Sequence, residues 1–182
     1  VVGGGELFRA RQGGIPGARM VFAGVGKTEE ELKAGLDARI YSFNVETTGE
    51  LYRLEELARE RGTRAPFGVR VNPDILSPTP HEDTRTGHAE SKFGLPIQVA
   101  VGLYRWAASR PHLQARGIDV HIGSQIVEPG PYKRALRSAL EVVHLLRKEG
   151  IGLDSLDLGG GYGIPYPDQG MDIDALALEL AP

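Results

Sequence analysis

The residues with the most chemistry to offer lie in two short runs. Gly159-Gly160-Gly161-Tyr162-Gly163 follows the apolar stretch Leu153 to Leu158. Glycines at a strand end let the backbone approach a ligand closely. Consecutive backbone N–H groups form a concavity suited to an anion such as phosphate. A plain tight turn is the alternative, yet three consecutive glycines and a fourth exceed what a turn needs. The spacing departs from a dinucleotide fingerprint, because the third required glycine falls on Ile164. His121-Ile122-Gly123-Ser124-Gln125 ends a second apolar run. An imidazole there is able to stack on a flat ring, and a serine hydroxyl to donate to a phosphate oxygen; the competing reading is a structural histidine. A Ser–His hydrolase is disfavoured, since no Gly-x-Ser-x-Gly elbow is present.

Other polar groups end apolar runs in the same way: Asn44-Val45-Glu46, and Arg70-Val71-Asn72-Pro73. Each alone reads as a capping group. Val25-Gly26-Lys27-Thr28 has the look of a P-loop, but the glycine required five residues before Gly26 is Val21. Lys27 is still expected at the ligand-facing end of a strand. His81, His88, His112, His121 and His144 show no metal-ligand spacing, so no metal is inferred. The acidic run Glu29 to Glu31 and the pair Glu55-Glu56 read as solvated helix faces.

The elements that must position these groups alternate. Strand candidates are Val1-Val2, Met20 to Ala23, Ile40 to Val45, Phe67 to Val71, Gly117 to Ile122 and Leu153 to Leu158. Five helix candidates lie among them. Thr28 with Glu31, and Thr47 with Glu50, have capping-box spacing. The second of these opens a helix with the apolar set Leu51, Leu54, Leu57 and Ala58, ending near Gly62. Pro96 to Arg110 is a third helix. Tyr132, Ala135, Leu136, Ala139, Val143 and Leu146 mark one face of a fourth. Asp172 or Asp174 caps a fifth. This rhythm predicts an α/β fold with a parallel sheet. A closed eightfold barrel and an open doubly wound sheet both fit it. A barrel typically takes ~250 residues, so about six strands leave it incomplete by about two. The longest irregular stretch is Asn72 to Ser91, a length usually reserved for functional or mobile loops.

The chain has 182 residues, 41% hydrophobic and 25% charged, with net charge −3. Nothing in that balance calls for nucleic acid or an anionic membrane as partner. No apolar run reaches the ~18–20 residues that span a bilayer. Cysteine is absent, which excludes disulfides and fits a reducing cytosol. Val1-Val2 reads as the inside of a strand and Leu176 to Leu180 as an unfinished helix, so both ends are expected to be internal to a longer protein.

In order, the motifs resemble the barrel domain of the diaminopimelate decarboxylase branch of the pyridoxal-phosphate-dependent decarboxylases. The matching pieces are Gly4-Gly5-Glu6-Leu7, Phe22 to Thr28, Phe43 to Glu46, Val69 to Asp74, Thr86-Gly87, Ser91 to Gly94, His121 to Gln125 and Asp157 to Tyr166. The resemblance implies strands two to seven of a (β/α)8 TIM barrel of the alanine racemase-like type, with residues 1–182 a partial cofactor-binding barrel and a C-terminal β-domain absent. It implies pyridoxal 5′-phosphate as cofactor. The implied activity is a carbon–carbon lyase step, decarboxylation of meso-diaminopimelate to L-lysine, by a cytoplasmic homodimer acting on a small amino acid. By motif, His121 would stack on the cofactor ring and is the catalytic candidate. Ser124 and the Gly159, Gly160 and Gly161 backbone would hold the phosphate, and Gly163 would shape that loop. Arg70, and less directly Asn44 and Glu46, would approach the cofactor.

The departures bound the reading. The lysine that bonds to the cofactor lies upstream in the family, and Lys27, Lys33, Lys92, Lys133 and Lys148 do not match its motif. The Glu-Pro-Gly-Arg segment that meets the pyridine nitrogen has no counterpart, since Glu128-Pro129-Gly130-Pro131 opens a helix. The proton-donating cysteine is also missing. Position 3 is Gly where the family has Ser, and Thr79 to Asp83 departs from the usual spelling. The chain alone is therefore expected to lack turnover, to bind cofactor weakly, and, with two open sheet edges, to aggregate or be marginally stable. Alternatives are an ornithine, arginine or carboxylated-polyamine decarboxylase, or a non-catalytic pyridoxal-phosphate-binding protein.

Overall fold

A computed structural model describes residues 1–73, 93–165 and 170–181. Asp74, Thr79 to Asp83, Thr86-Gly87, His81, His88, Ser91-Lys92 and Tyr166 lie outside the described residues, as does most of the long stretch after Asn72.

The helices form where their caps predict. The side chain of Thr28 accepts from the Glu31 backbone while Glu31 reaches back to Thr28, a complete capping box that starts α2 (Glu29–Asp37). Thr47 likewise accepts from the Glu50 backbone and starts α3 (Thr48–Glu60). Here the box is incomplete, because the Glu50 carboxylate turns instead to the Glu46 N–H and to Lys27. Leu51, Leu54, Leu57 and Ala58 are fully buried beneath α3, each leucine worth about 2 kcal/mol of burial. Gly62 closes it with φ 59°. α4 (Ile97–Ala108), α5 (Pro129–Lys148) and α6 (Ile173–Leu180) follow, the last capped by Asp172.

One helix was not anticipated. α1 (Gly4–Gln12) starts within the Gly3-Gly4-Gly5 run, directly after the segment expected to be a strand. Its first turn is held from outside: the Gly4 N–H donates to Glu31 Oε1 on α2 at 2.7 Å, and Leu7 is buried. Tertiary contact here overrides glycine's low helix propensity.

Six strands form one sheet, and every pairing is parallel: β1 (Val21–Phe22), β2 (Ser42–Val45), β3 (Ala65–Asn72), β4 (Leu95–Pro96), β5 (Leu113–Asp119) and β6 (Ser155–Asp157). The order is β1-β2-β3-β5-β6, with β4 beside β3. The sixth strand is the unanticipated pair Leu95–Pro96. Val1-Val2 is not a strand, although Val1 brackets β1 through a hydrogen bond to Val21 O and one from Ala23 N. β5 begins at Leu113 rather than Gly117, because a register shift at Phe67/Gly68 of β3 separates an early from a late half of the pairing. The Tyr104 hydroxyl of α4 enters at this irregularity, accepting from Val69 N–H at 2.9 Å and donating to Gly117 O.

The sheet curls. β2 and β6 are three strand spacings apart, about 14 Å in a flat sheet. Yet Asn44 Nδ2 donates to Asp157 Oδ2 at 3.0 Å, and the Tyr41 hydroxyl to Asp154 Oδ1 at 3.4 Å. The fold is thus a partial parallel α/β barrel. Phe43, Val45, Phe67, Val69 and Val71 are buried and form the apolar core with the helices. Among the described residues, the buried polar set is Ser42, Asn44, Glu46 and Asp119.

The buried Tyr104 hydroxyl bridges Val69 N–H and Gly117 O where the register of the two strands shifts. Tyr104→Phe is expected to destabilise the protein by about 2–3 kcal/mol, read as a lower denaturation midpoint with an unchanged slope. A loss below about 0.5 kcal/mol would show that the sheet closes without the hydroxyl.

Candidate active site

Because the strands are parallel, their C-terminal ends share one edge, the ligand edge of such sheets. A cavity of about 330 Å³ opens there, lined by Gly24, Arg70, Asp119, His121, Asp157 and Gly159 among others. A larger depression of about 510 Å³ lies at the opposite edge, among Arg39, Arg64, Gln114 and Arg116. The His121 imidazole, the Arg70 guanidinium and the buried Asp119 carboxyl meet in the first of these, which is therefore the candidate site.

His121 and the glycine run form one unit. Gly160 N–H donates to His121 Nδ1 at 3.2 Å, so Nδ1 carries no proton and the ring is the neutral Nε2–H tautomer. Burial first, and then the Arg70 charge, hold the His121 pKa below its ordinary value, against the pull of Asp157 and Glu46. The other face of the Gly160 peptide is held too: its carbonyl accepts from the buried Tyr132 hydroxyl at 2.8 Å.

The glycines are required by close approach. A Cβ on Gly159 would stand 2.5 Å from His121 Nδ1, and one on Gly161 would stand 1.8 Å from Gly123 O, with φ +69° and +80°. A Cβ on Gly163 would meet Val127 at 2.6 Å. The open nest expected from the sequence is narrower than the run. Gly159 N–H is taken by Asp157 Oδ1 at 2.8 Å, Gly160 N–H by His121, and Gly163 N–H by Ile126 O at 2.9 Å. Among the described residues, the Gly161 and Tyr162 N–H groups have no partner. Exposed Ser124 adjoins them, its Cα 3.1 Å from the place of a Gly161 Cβ.

Arg70 is fixed on two sides. Nη1 reaches both oxygens of buried Glu46, at 2.9 and 3.0 Å, and the guanidinium lies over Phe93 at 5.3 Å. Lys27 lies in the loop at the C-terminal end of β1, as expected, but its side chain is spent on the protein itself. Its ammonium is 1% exposed and bound to Glu50 Oε1, Gly24 O and Asn44 O, so it ties together the loops after β1 and β2. Asn44 and Glu46 likewise act through Asp157 and Arg70.

Two carboxylates were missed. Asp119 and Asp157 stand two residues before His121 and Gly159, as Asn44 does before Glu46. Strand residues i and i+2 share a face, and that period was the available signal. Burial first, and then the charge of Asp157, push the Asp119 pKa up to about 7. The folded state thus keeps a proton that the unfolded chain loses, so Asp119 lowers stability progressively as pH rises from about 4 to about 7.

Two outcomes follow from this geometry. Gly161→Ala is expected to lower stability by about 1–3 kcal/mol through strain at positive φ, and a melting temperature equal to wild type would contradict the contact with Gly123. Asp119→Asn is expected to melt above wild type at pH 8, with the difference closing toward pH 4. A pH-independent difference would show that the Asp119 pKa is the same in the folded and the unfolded chain.

Comparison with known proteins gives the site its context. Residues 1–180 match the family model described as pyridoxal-dependent decarboxylase, pyridoxal binding domain. The chain is 43% identical to the diaminopimelate decarboxylase of Aquifex aeolicus over 166 residues, 91% of this chain and 39% of that protein. It is 41% identical to that of Neisseria meningitidis serogroup B over 178 residues, 97% of this chain and 43% of that protein. The crystal structure of the Helicobacter pylori diaminopimelate decarboxylase, complexed with L-lysine, superposes with TM-score 0.94 at 33% identity, covering 98% of this chain and 45% of that one. The chain thus spans well under half the length of these relatives. With the family model matched from residue 1 to residue 180, over a curled parallel sheet whose strand ends carry the histidine and the glycine run, the chain belongs to the pyridoxal-dependent decarboxylase family, within its pyridoxal-binding domain.

Proposed function

We propose that the intact protein is a pyridoxal-phosphate-dependent diaminopimelate decarboxylase, and that residues 1–182 are part of its cofactor barrel. The observation that carries the reading is the bond between Gly160 N–H and His121 Nδ1. It joins a neutral, flat imidazole that lines the cavity to the glycine loop beside it, whose Gly161 and Tyr162 amides have no partner among the described residues, and that pairing suits a phosphorylated aromatic ring. The reading is further supported by the close approaches at Gly159 and Gly161, where a Cβ would collide with His121 and with Gly123 O, so that glycine alone lets the loop pack against the histidine strand end.

In this reading His121 stacks on the ring. Gly161 N–H, Tyr162 N–H and the Ser124 hydroxyl hold the phosphate, while Gly159, Gly160 and Gly163 shape the loop. Arg70, held by Glu46, faces the ring. Bound pyridoxal phosphate supplies an electron sink for the charge left when the substrate carboxylate departs. The chain's task is to hold that ring in one orientation, so the bond being broken stays perpendicular to it. Neutral His121 suits this task, because it adds no charge against the ring face. The cofactor-bonding lysine is assigned to another part of the protein: among the described residues Lys27 is fully engaged, and Lys33 pairs with Glu29 and Lys133 with Glu179. By family resemblance we extend the proposal to a β-domain outside this chain, a cytoplasmic homodimer and an amino-acid substrate.

The test is turnover by the full-length protein supplied with pyridoxal phosphate. Meso-diaminopimelate is expected to yield L-lysine and carbon dioxide, and His121→Ala to reduce kcat/KM by about 100-fold. Preferred turnover of ornithine, arginine or a carboxylated polyamine would overturn the substrate. Reversible cofactor binding with no turnover of any of these would make it a binding protein.

A further inference from the structure

Asp119 lines the same cavity as Arg70 and His121, is 4% exposed, and has no hydrogen-bond partner for its carboxyl among the described residues. Its neighbour Asp157 is in the opposite condition. Asp157 Oδ1 accepts from Gly159 N–H at 2.8 Å and Oδ2 from Asn44 Nδ2 at 3.0 Å, so both of its oxygens already have donors. The charged groups acting on Asp119 come from each surrounding element: Asp157 on β6, Arg70 on β3, Glu46 after β2 and Lys27 after β1. His121, two residues along its own strand end, is neutral. Both cations are already matched, Arg70 by Glu46 and Lys27 by Glu50. Among the described residues, each cation that acts on Asp119 is thus held in an ion pair with another carboxylate.

An anionic ligand sharpens the conflict. Ionised Asp119 together with Asp157 would set two negative charges against a phosphorylated ring. The neutral acid removes one of those charges and offers an O–H donor in its place. We propose that Asp119 is a ligand-facing residue that enters the complex as the neutral acid, so that binding of an anionic, phosphorylated ring takes up a proton at its carboxyl. The inference rests on the cofactor site proposed above. It also fits the elevated pKa that burial and Asp157 give this group.

The experiment is calorimetric titration of the full-length protein with 4′-deoxypyridoxine 5′-phosphate, which lacks the aldehyde and forms no bond with any lysine. Runs at pH 8 in two buffers of different ionisation enthalpy count the protons exchanged. Wild type is expected to take up close to one proton more than either Asp119→Asn or Asp119→Ser. Wild-type affinity is expected to fall by up to about tenfold per pH unit above pH 7, and that of the variants to fall less. Equal proton uptake by wild type and both variants overturns the inference while leaving the cofactor site standing. Absence of wild-type binding from pH 6 to 9 overturns the site itself, and the inference with it.

Discussion

The carboxylate of Asp157 is the group on which the site depends. One oxygen accepts from Asn44 across the interior and the other from the first glycine of the loop. The first bond ties β6 to β2 and records the curl of the sheet. The second fixes how the chain leaves β6, and so where Gly160 meets His121. Both oxygens are thus occupied by donors, and the Asp157 charge acts on its surroundings: it raises the pKa of Asp119 and partly offsets the lowering at His121. One side chain therefore links strand curvature, loop position and the protonation of the cavity.

Two buried ion pairs complete the frame. Lys27–Glu50 joins the loop after β1 to the first turn of α3, and Arg70–Glu46 joins β3 to the end of β2. Desolvation makes such pairs weak sources of net stability, while breaking one strands a charge and costs about 3–5 kcal/mol. Their contribution is to geometry. At the strand ends, Lys27 ties the loop after β1 to β2, Glu46 ties β2 to Arg70 of β3, Asn44 ties β2 to β6, and His121 ties the end of β5 to the loop after β6, while the opposite faces of the same strands pack as Phe and Val against the helices.

Much of this was legible in the sequence. Cap spacing located α2 and α3, and apolar periodicity located α5 and the face under α3, because those signals are local. The recurrence of polar groups at strand ends located the ligand edge. What escaped depends on contacts between distant segments. Gly4 and Gly5 enter a helix only because Glu31 waits on α2. Leu95–Pro96 is a strand only because β3 extends beside it. Glu50 has capping-box spacing, but Lys27, 23 residues earlier, claims it. Within the site, the histidine and glycines stood out by type. Asp119 and Asp157 stood out only by their two-residue offset, which becomes meaningful once the strand face is known. The glycine run also looked more open to an anion than it is, since its amide partners Asp157, His121 and Ile126 lie elsewhere in the chain.

The central claim is that His121 and the glycine loop form one cradle for a phosphorylated ring. A crystal structure of the full-length protein with 4′-deoxypyridoxine 5′-phosphate tests it most directly. The account predicts the ring against His121, with the phosphate on the Gly161 and Tyr162 amides and Ser124. A ring lodged away from His121, or a phosphate held instead by Arg39, Arg64 and Arg116 at the opposite edge of the sheet, would contradict it.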